Sequence, residues 1–332
     1  SIHDDSISWY ENNGDGDGGW NWTAADIATN ADYALGVHVA DMDNDGDMDI
    51  VSVSQLDDTI AWYENNGAAN PTWTAADIAT SADGATSIDI ADIDGDGDLD
   101  IISSSELDDT IAWYESDVAS NNDVAIMAQV GDDYASTNGT LTFSPGETSK
   151  TFNVIISEDL IPENNETVQL TLSNPSNTTI SDATGAVVIT DDDGIKWDTN
   201  TLTTSADGAY DVHVADMDSD GDMDIVASSI HDDTIRWFEN NGDLNPTWTT
   251  ATIATNADHV REITVADMDS DGDLDILSAS QNDSAIAWYE NNGAADPQFA
   301  KAVIATSANL ANDVQVADLD GDGDLDIVSA ST

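Results

Sequence analysis

The sequence contains no cysteine, which excludes a disulfide framework and thiolate catalysis. Positive charge is almost missing: 5 Lys and Arg stand against 68 Asp and Glu, for a formal net charge of −63. Phosphate binding needs clustered Lys and Arg, so nucleic acid is excluded as a partner, and an anionic membrane surface is disfavoured on the same grounds. No apolar run of about 18 residues occurs, so no membrane-inserted helix is expected. Ser1–Asp5 lacks the basic and apolar regions of a signal peptide, so a secreted chain would be in its mature form. Such acidity usually accompanies disorder. Here 40% hydrophobic residues, with 10 Trp among 332 residues, supply enough for a core.

What the sequence does have is repetition. The segment Ala40–Ile50, Ala-Asp-Met-Asp-Asn-Asp-Gly-Asp-Met-Asp-Ile, recurs from Ala91, Ala215, Ala266 and Ala317. Three of its four intervals are 51 residues and one is 124, so one repeat carries an insertion of about 73 residues. Two landmarks keep phase with it. Asp57–Glu64 (Asp-Asp-Thr-Ile-Ala-Trp-Tyr-Glu) is echoed at Asp4–Glu11, Asp108–Glu115, Asp232–Glu239 and again up to Glu290. Trp73–Thr80 is echoed from Trp22, Trp197, Trp248 and Phe299.

Each repeat reads as four short strands, in the first full copy Gly36–Ala40, Asp49–Ser54, Thr59–Glu64 and Trp73–Ala79. Asn65-Asn66-Gly67 marks the turn after the third. Four strands per 51 residues, without helical periodicity, predict the blade of a β-propeller. Residues 1–28 hold a third and fourth strand and residues 313–331 a first and second, which predicts one blade split between the two ends and closed within the chain. The expectation is an all-β fold: a propeller of about five four-stranded blades, with a β-sandwich inserted in the second. The expected parts are propeller at 1–115, insertion at 116–194 and propeller again at 195–332. The insertion reads as strands at Asp123–Val130, Gly139–Phe143, Thr151–Ser157, Thr167–Ser173 and Ala186–Thr190, with turns at Ser144-Pro145-Gly146 and Asn174-Pro175.

The chemistry lies in the Asp-rich loops. In the first, Asp41, Asp43, Asp45, Asp47 and Asp49 occupy positions 1, 3, 5, 7 and 9, with Gly46 at position 6. The pattern returns at Asp92, Asp94, Asp96, Asp98 and Asp100, and at Asp216, Asp218, Asp220, Asp222 and Asp224. It returns again at Asp267, Asp269, Asp271, Asp273 and Asp275, and at Asp318, Asp320, Asp322, Asp324 and Asp326. Positions 1, 3 and 5 can converge in a tight turn, position 7 offers a carbonyl, and position 9 closes the sphere. A set of hard oxygen donors selects Ca²⁺, expected at one ion per loop. Position 12 is Ser52, Ser103, Ala227, Ser278 or Ser329, never the bidentate Glu of a helical EF-hand, so the sites are expected on β-hairpins.

These residues resemble the FG-GAP/VCBS-type repeats of integrin-like β-propellers, whose blades carry Asp-x-Asp-x-Asp-Gly-x-x-Asp calcium loops. The Phe-Gly and Gly-Ala-Pro segments of that family are missing here. The inserted Gly139–Lys150, followed by Glu158-Asp159, Pro162-Glu163, Glu166-Thr167 and Asp191–Asp193, resembles a Calx-β domain. By that resemblance, Asp133, Glu158, Asp159, Glu163, Asp191, Asp192 and Asp193 are candidate ligands for further Ca²⁺ in the insertion.

Trp9, Trp62, Trp113, Trp237 and Trp288 fit inter-blade packing, or carbohydrate stacking as in propeller lectins. The repeat-equivalent pairs His3/His231 and His38/His213 read as structural, and no Gly-x-Ser-x-Gly elbow is present. Sequons at Asn21, Asn138, Asn165, Asn177 and Asn282 are glycosylation candidates in a host that glycosylates. The expected function is a non-enzymatic, extracellular Ca²⁺-binding structural or adhesive protein, with the subunit of a surface polymer or fibre as its expected form. Its expected partners are copies of itself, or a cell-surface or matrix protein or glycan. The alternatives are a propeller lectin and, behind it, a secreted carbohydrate-active enzyme.

Overall fold

The computed structural model describes residues 5–13, 21–117, 130, 134–136, 138–157, 166–189 and 195–332. The chain forms two compact units, Ser1–Ser116 with Trp197–Thr332, and Asp117–Lys196. Among the described residues there is no helix.

The first unit is a series of antiparallel sheets. It opens with a two-stranded ladder, β1 (Ile7–Asn12) on β2 (Trp22–Ala28). The first complete sheet is β3 (Ala34–Ala40), β4 (Asp49–Ser54), β5 (Thr59–Asn65) and β6 (Trp73–Ala79), in that order. The second is β7 (Ala85–Ala91), β8 (Asp100–Ser105), β9 (Thr110–Asp117) and, from beyond the insertion, β14 (Lys196–Thr203). The third runs β15 (Ala209–Ala215), β16 (Asp224–Ser229), β17 (Thr234–Asn240) and β18 (Trp248–Ala254). The fourth runs β19 (Val260–Ala266), β20 (Asp275–Ser280), β21 (Ala285–Asn291) and β22 (Phe299–Ala305). A second ladder, β23 (Asp313–Ala317) on β24 (Asp326–Ala330), ends the unit.

Every sheet is an up-and-down meander, with short connections that carry turn residues except between β9 and β14, where the inserted unit intervenes. The residue before the Thr of Asp-Asp-Thr is left-handed, as at Asp58 (φ 58°) and Asp109 (φ 60°). Its carboxylate reaches the next sheet: Gly84 N–H donates to Asp58 Oδ1 at 3.0 Å and Gly208 N–H to Asp109 Oδ1 at 2.9 Å. The core lies between successive sheets. Ile93, Ile102, Ile111 and Trp113 of the second pack on Val212, Ile225 and Phe238 of the third. Val226, Ile235 and Trp237 pack on Ile263, Ile276 and Tyr289 of the fourth. The inner strands follow suit, β3 packing on β7, β7 on β15, β15 on β19 and β19 on β23.

Four complete four-stranded sheets therefore match the repeat reading. The split fifth stays as two two-stranded ladders, and among the described residues no hydrogen bonding joins β24 to β1. The repeat establishes which strands belong together; whether the ends meet depends on the rotation from sheet to sheet, which no local motif encodes.

In the second unit, β10 (Tyr134–Ala135) pairs with β11 (Ile155–Ile156), and β12 (Glu166–Thr171) with β13 (Thr184–Ile189). The last two expected strands thus form a ladder, while Thr151–Ser157 shortens to two residues. Gly139–Phe143 is not a strand, and its Leu141 and Phe143 are exposed. It alternates like a strand but has no ladder partner among the described residues. Most of Asp123–Val130 lies outside the described residues.

Candidate metal centres

Each Asp-rich loop joins the first two strands of a sheet, and two left-handed residues fold it. Position 6 is Gly in every copy, with φ from 96° at Gly46 to 105° at Gly97. Position 4 is left-handed as well, as Asn44, Gly95, Ser219, Ser270 or Gly321. Nothing lies near an added Cβ at Gly46, so the backbone conformation alone calls for glycine there. Position 2 anchors the loop: Met42, Ile93 and Met217 are buried in the core.

The carboxylates fall into three sets. Those at positions 1, 3 and 5 converge: Asp41, Asp43 and Asp45 offer oxygens within 4.8 Å of one another, as do Asp92, Asp94 and Asp96, and Asp267, Asp269 and Asp271. In the third loop the gathered set is Asp216, Asp218 and position 9, Asp224. In the fifth loop Asp318 accepts from the N–H groups of Gly321, Asp322 and Gly323, while Asp320 and Asp322 each accept from the N–H two residues on. Position 7 turns away. A Cβ added to Gly67, Gly242 or Gly293 would collide with the carboxylate of Asp47, Asp222 or Asp273. At these three positions only the carbonyl remains for a cation. In the second loop Asp98 Oδ1 accepts from Asn44 Nδ2 at 3.4 Å.

Position 9 is the keystone. Asp49, Asp100, Asp224 and Asp275 are at most 1% exposed. One oxygen accepts from the position 2 N–H, as from Met42 to Asp49 (3.0 Å) and from Met217 to Asp224 (3.1 Å). Asp326 repeats this with Leu319 (3.1 Å). The other oxygen accepts from the N–H ending the third strand: Asn65, Ser116, Asn240 or Asn291, at 2.7–2.8 Å. The indole N–H of the Trp on that strand, Trp62, Trp113, Trp237 or Trp288, is buried and closes no hydrogen bond.

Burial without a counter-ion raises these acids. Desolvation, then the charges of Asp49 and Asp45, push Asp43 up to about 7. Desolvation and Asp96 push Asp94 to about 6. Desolvation takes Asp100 and Asp224 to about 7 against their backbone donors. Neighbouring carboxylates ~4 Å apart repel by up to ~4 kcal/mol at an effective dielectric near 20. A divalent cation would remove that cost. The fit is visible at one atom: Asp41 Oδ1 is buried and has no hydrogen-bond partner. All the gathered donors are hard oxygens, which suits Ca²⁺.

The Asn-Asn-Gly turn, read from sequence as punctuation, also serves the loops. Asn65 Nδ2 donates to Met48 O at 3.0 Å within its own loop. Asn240 Nδ2 donates to Met223 O (3.0 Å) and to Ile93 O (2.8 Å) in the preceding sheet's loop. Asn291 repeats this with Leu274 O and Met217 O, both at 3.0 Å. The recurrence of the first Asn at one phase was the available signal.

Three of the five Trp of the series lie in the core and offer no stacking surface. Trp62, Trp113 and Trp237 are 2–7% exposed, and Trp9 stacks edge-on to Trp73 with centroids 6.4 Å apart. Of the sequons, Asn21, Asn138, Asn177 and Asn282 are exposed, and Asn165 lies outside the described residues. Asp133, Glu158, Asp159, Glu163, Asp191, Asp192 and Asp193, the candidate ligands in the insertion, also lie outside them.

Comparison with curated protein sequences gives no match. The solved structure described as "Crystal structure of the V. cholerae biofilm matrix protein Bap1" aligns with 98% of this chain and 66% of that one, so this chain spans just under two thirds of its length. Identity is 12% and the TM-score 0.43, too low for the likeness to bear on fold or function. The FG-GAP-like repeat matches residues 1–52, 44–103, 216–278 and 267–329, and the Calx-beta domain matches 120–193. With the repeat model matching well over half of the chain, in phase with the Asp-rich loops, this protein belongs to the FG-GAP-like repeat family and carries a Calx-beta domain.

Proposed function

We propose that the chain is a non-enzymatic, extracellular, calcium-binding structural or adhesive protein. The observation that carries this reading is the repeated gathering of three loop carboxylates around one point, with a buried, unpartnered oxygen at Asp41. One Ca²⁺ per loop rigidifies the joint between the first two strands of each sheet, and the asparagine latches tie one joint to the next. Five ions bring the formal charge from −63 only to −53, so the surface stays strongly acidic. Modular extracellular sites of this kind bind at ~10⁻⁴–10⁻³ M, matched to millimolar Ca²⁺ outside cells. The chain's partners are copies of itself, or a surface or matrix protein or glycan, and Ca²⁺ weakens the like charge that opposes such packing.

Equilibrium dialysis with metal analysis tests the ion, and light scattering tests the assembly. The expected result is at least five Ca²⁺ per chain and particles that grow with millimolar Ca²⁺. A chain that binds no Ca²⁺ at that concentration sinks the whole reading. One that binds it and stays monodisperse at high concentration sinks the self-assembly alone.

A further inference from the structure

The calcium loops leave a second set of polar residues unused, on the inner strands. Repeat phase places Gly36, Ser87, Asp211, Glu262 and Asp313 at one position of β3, β7, β15, β19 and β23. It places His38, Asp89, His213, Thr264 and Gln315 two residues on. The Asp-rich loops are close copies of one another, yet these two positions change residue type from sheet to sheet, so the fold does not require any one of them.

A bulge re-aims both acids of the central pair. Tyr210 is the extra residue in β15 and Arg261 in β19, so Asp211 pairs with Ser228 and Glu262 with Ala279. Asp211 is 6% exposed and firmly held. Its Oδ1 accepts from Ser87 Oγ (2.9 Å) and Val212 N–H (3.0 Å), and its Oδ2 accepts from Ile263 N–H (2.8 Å). His213 Nε2 faces Asp211 Oδ2 at 3.9 Å, and its Nδ1 faces Asp89 Oδ2 at 3.7 Å. Asp89 is fixed in turn by the N–H groups of Ile90 and Val214, both at 2.9 Å. One ligand atom each from Asp211, His213 and Glu262 lies within 4.8 Å of the other two.

These separations are too long for hydrogen bonds. The 3.9 Å between His213 Nε2 and Asp211 Oδ2 suits two ligands of one ion, since donors ~2.0–2.2 Å from a metal stand roughly 3–4 Å from one another, and Glu262 offers a third donor within 4.8 Å. A protonated His213 held between Asp89 and Asp211 is the competing arrangement. It balances one of three carboxylates and leaves Glu262 with no hydrogen bond or ion pair among the described residues.

We propose that Asp211, His213 and Glu262 form a binding site for a first-row transition-metal dication of the Zn²⁺ type, separate from the calcium loops. Imidazole favours such ions, whereas Ca²⁺ prefers six to eight oxygens. Asp89 is a positioning residue, facing the other ring nitrogen as carboxylates commonly do behind metal-bound histidines. Three protein ligands leave a coordination position open to water or an exogenous donor.

The test is a Zn²⁺ titration of the full chain already saturated with Ca²⁺, followed by calorimetry. The expected result is one Zn²⁺ per chain, binding lost in His213→Ala and Glu262→Gln, and affinity lowered about 10- to 100-fold in Asp89→Asn. Each variant is checked for the wild-type calcium-loaded melting curve. Where a variant does not fold, wild-type protein loaded with Co²⁺ decides. Absorption from a low-coordinate, nitrogen-containing site that Zn²⁺ displaces and excess Ca²⁺ does not supports the proposal. Zn²⁺ binding unchanged in folded His213→Ala, Co²⁺ displaced by Ca²⁺, or no Zn²⁺ uptake would each overturn it.

Discussion

Removing calcium should make the repeat unit less stable as pH rises, and restoring it should cancel that loss. In the calcium-free chain, burial holds Asp100 and Asp224 up to about 7, and burial with neighbouring charge does the same to Asp43. The unfolded value is 3.8, so folding favours the protonated form. The associated stability is complete below about pH 3.8 and is lost as pH climbs through about 7. Moving one carboxyl over that interval corresponds to at most ~4 kcal/mol. Asp100 and Asp224 retain two backbone donors each, so a few kcal/mol for the pair is the working order of magnitude.

Calcium acts in the opposite sense, because it binds the ionised loops. At ~1 mM free Ca²⁺ and dissociation constants of ~10⁻⁴–10⁻³ M, each loop contributes roughly 0.4–1.4 kcal/mol by mass action. Five loops give roughly 2–7 kcal/mol, a large share of the ~5–15 kcal/mol of an ordinary domain. Melting is followed by calorimetry at pH 5 and pH 8, in calcium-free buffer and in millimolar Ca²⁺. Without calcium the transition should fall by roughly 5–10 °C from pH 5 to pH 8, and calcium should raise it at pH 8 by roughly 5–25 °C. High salt, which screens the general repulsion of −63 charges, should leave much of the pH effect in place because the groups are buried. Equal melting at pH 8 with and without calcium would refute the reasoning.

Three further outcomes follow from the packing. Asn291→Ala leaves the buried carbonyls of Met217 and Leu274 without their shared donor, and should cost ~1–3 kcal/mol in urea denaturation with weaker calcium binding at the third and fourth loops. Trp237→Ala should cost ~3–5 kcal/mol, and a glycan array should stay blank for the wild-type chain and the variant alike; sugar binding that disappears with the indole would favour the lectin reading. Replacing 117–193 by an Asn-Asn-Gly-type turn should leave the repeat unit soluble and calcium-stabilised, checked by its melting curve, since Ser1–Ser116 and Trp197–Thr332 form one compact unit.

How far the sequence could be read depended on whether each instruction was local. The 51-residue period showed strands and loops because identical residues return in phase, whereas burial within a strand was less legible: Ile60–Tyr63 is a continuous buried run on both faces of β5. Gly46 was legible because position 6 admits little else, but the left-handed position 4 was not, since Asn44, Ser219 and Gly95 share no side-chain type. The division of labour among the five aspartates was legible in outline, with positions 1, 3 and 5 converging and position 7 offering its carbonyl, but the contacts that enforce it were not. Five identical residues give no hint that Asp47 lies on a turn glycine while Asp49 is buried between two backbone donors. Both outcomes depend on β5, which ends beside the loop only after the sheet has formed. Pairing of β24 with β1, which is absent among the described residues, depends on still longer range, the sum of rotations between sheets. The cluster at Asp211, His213 and Glu262 lies at the same limit. Read within one repeat, His213 is an equivalent of His38 and looks structural. Asp211 lies two residues away on the same strand, and the packing of β15 on β7 and β19 adds Asp89 and Glu262. Chemistry written within one repeat can be read in the sequence, whereas chemistry assembled from adjacent repeats appears once the sheets are packed.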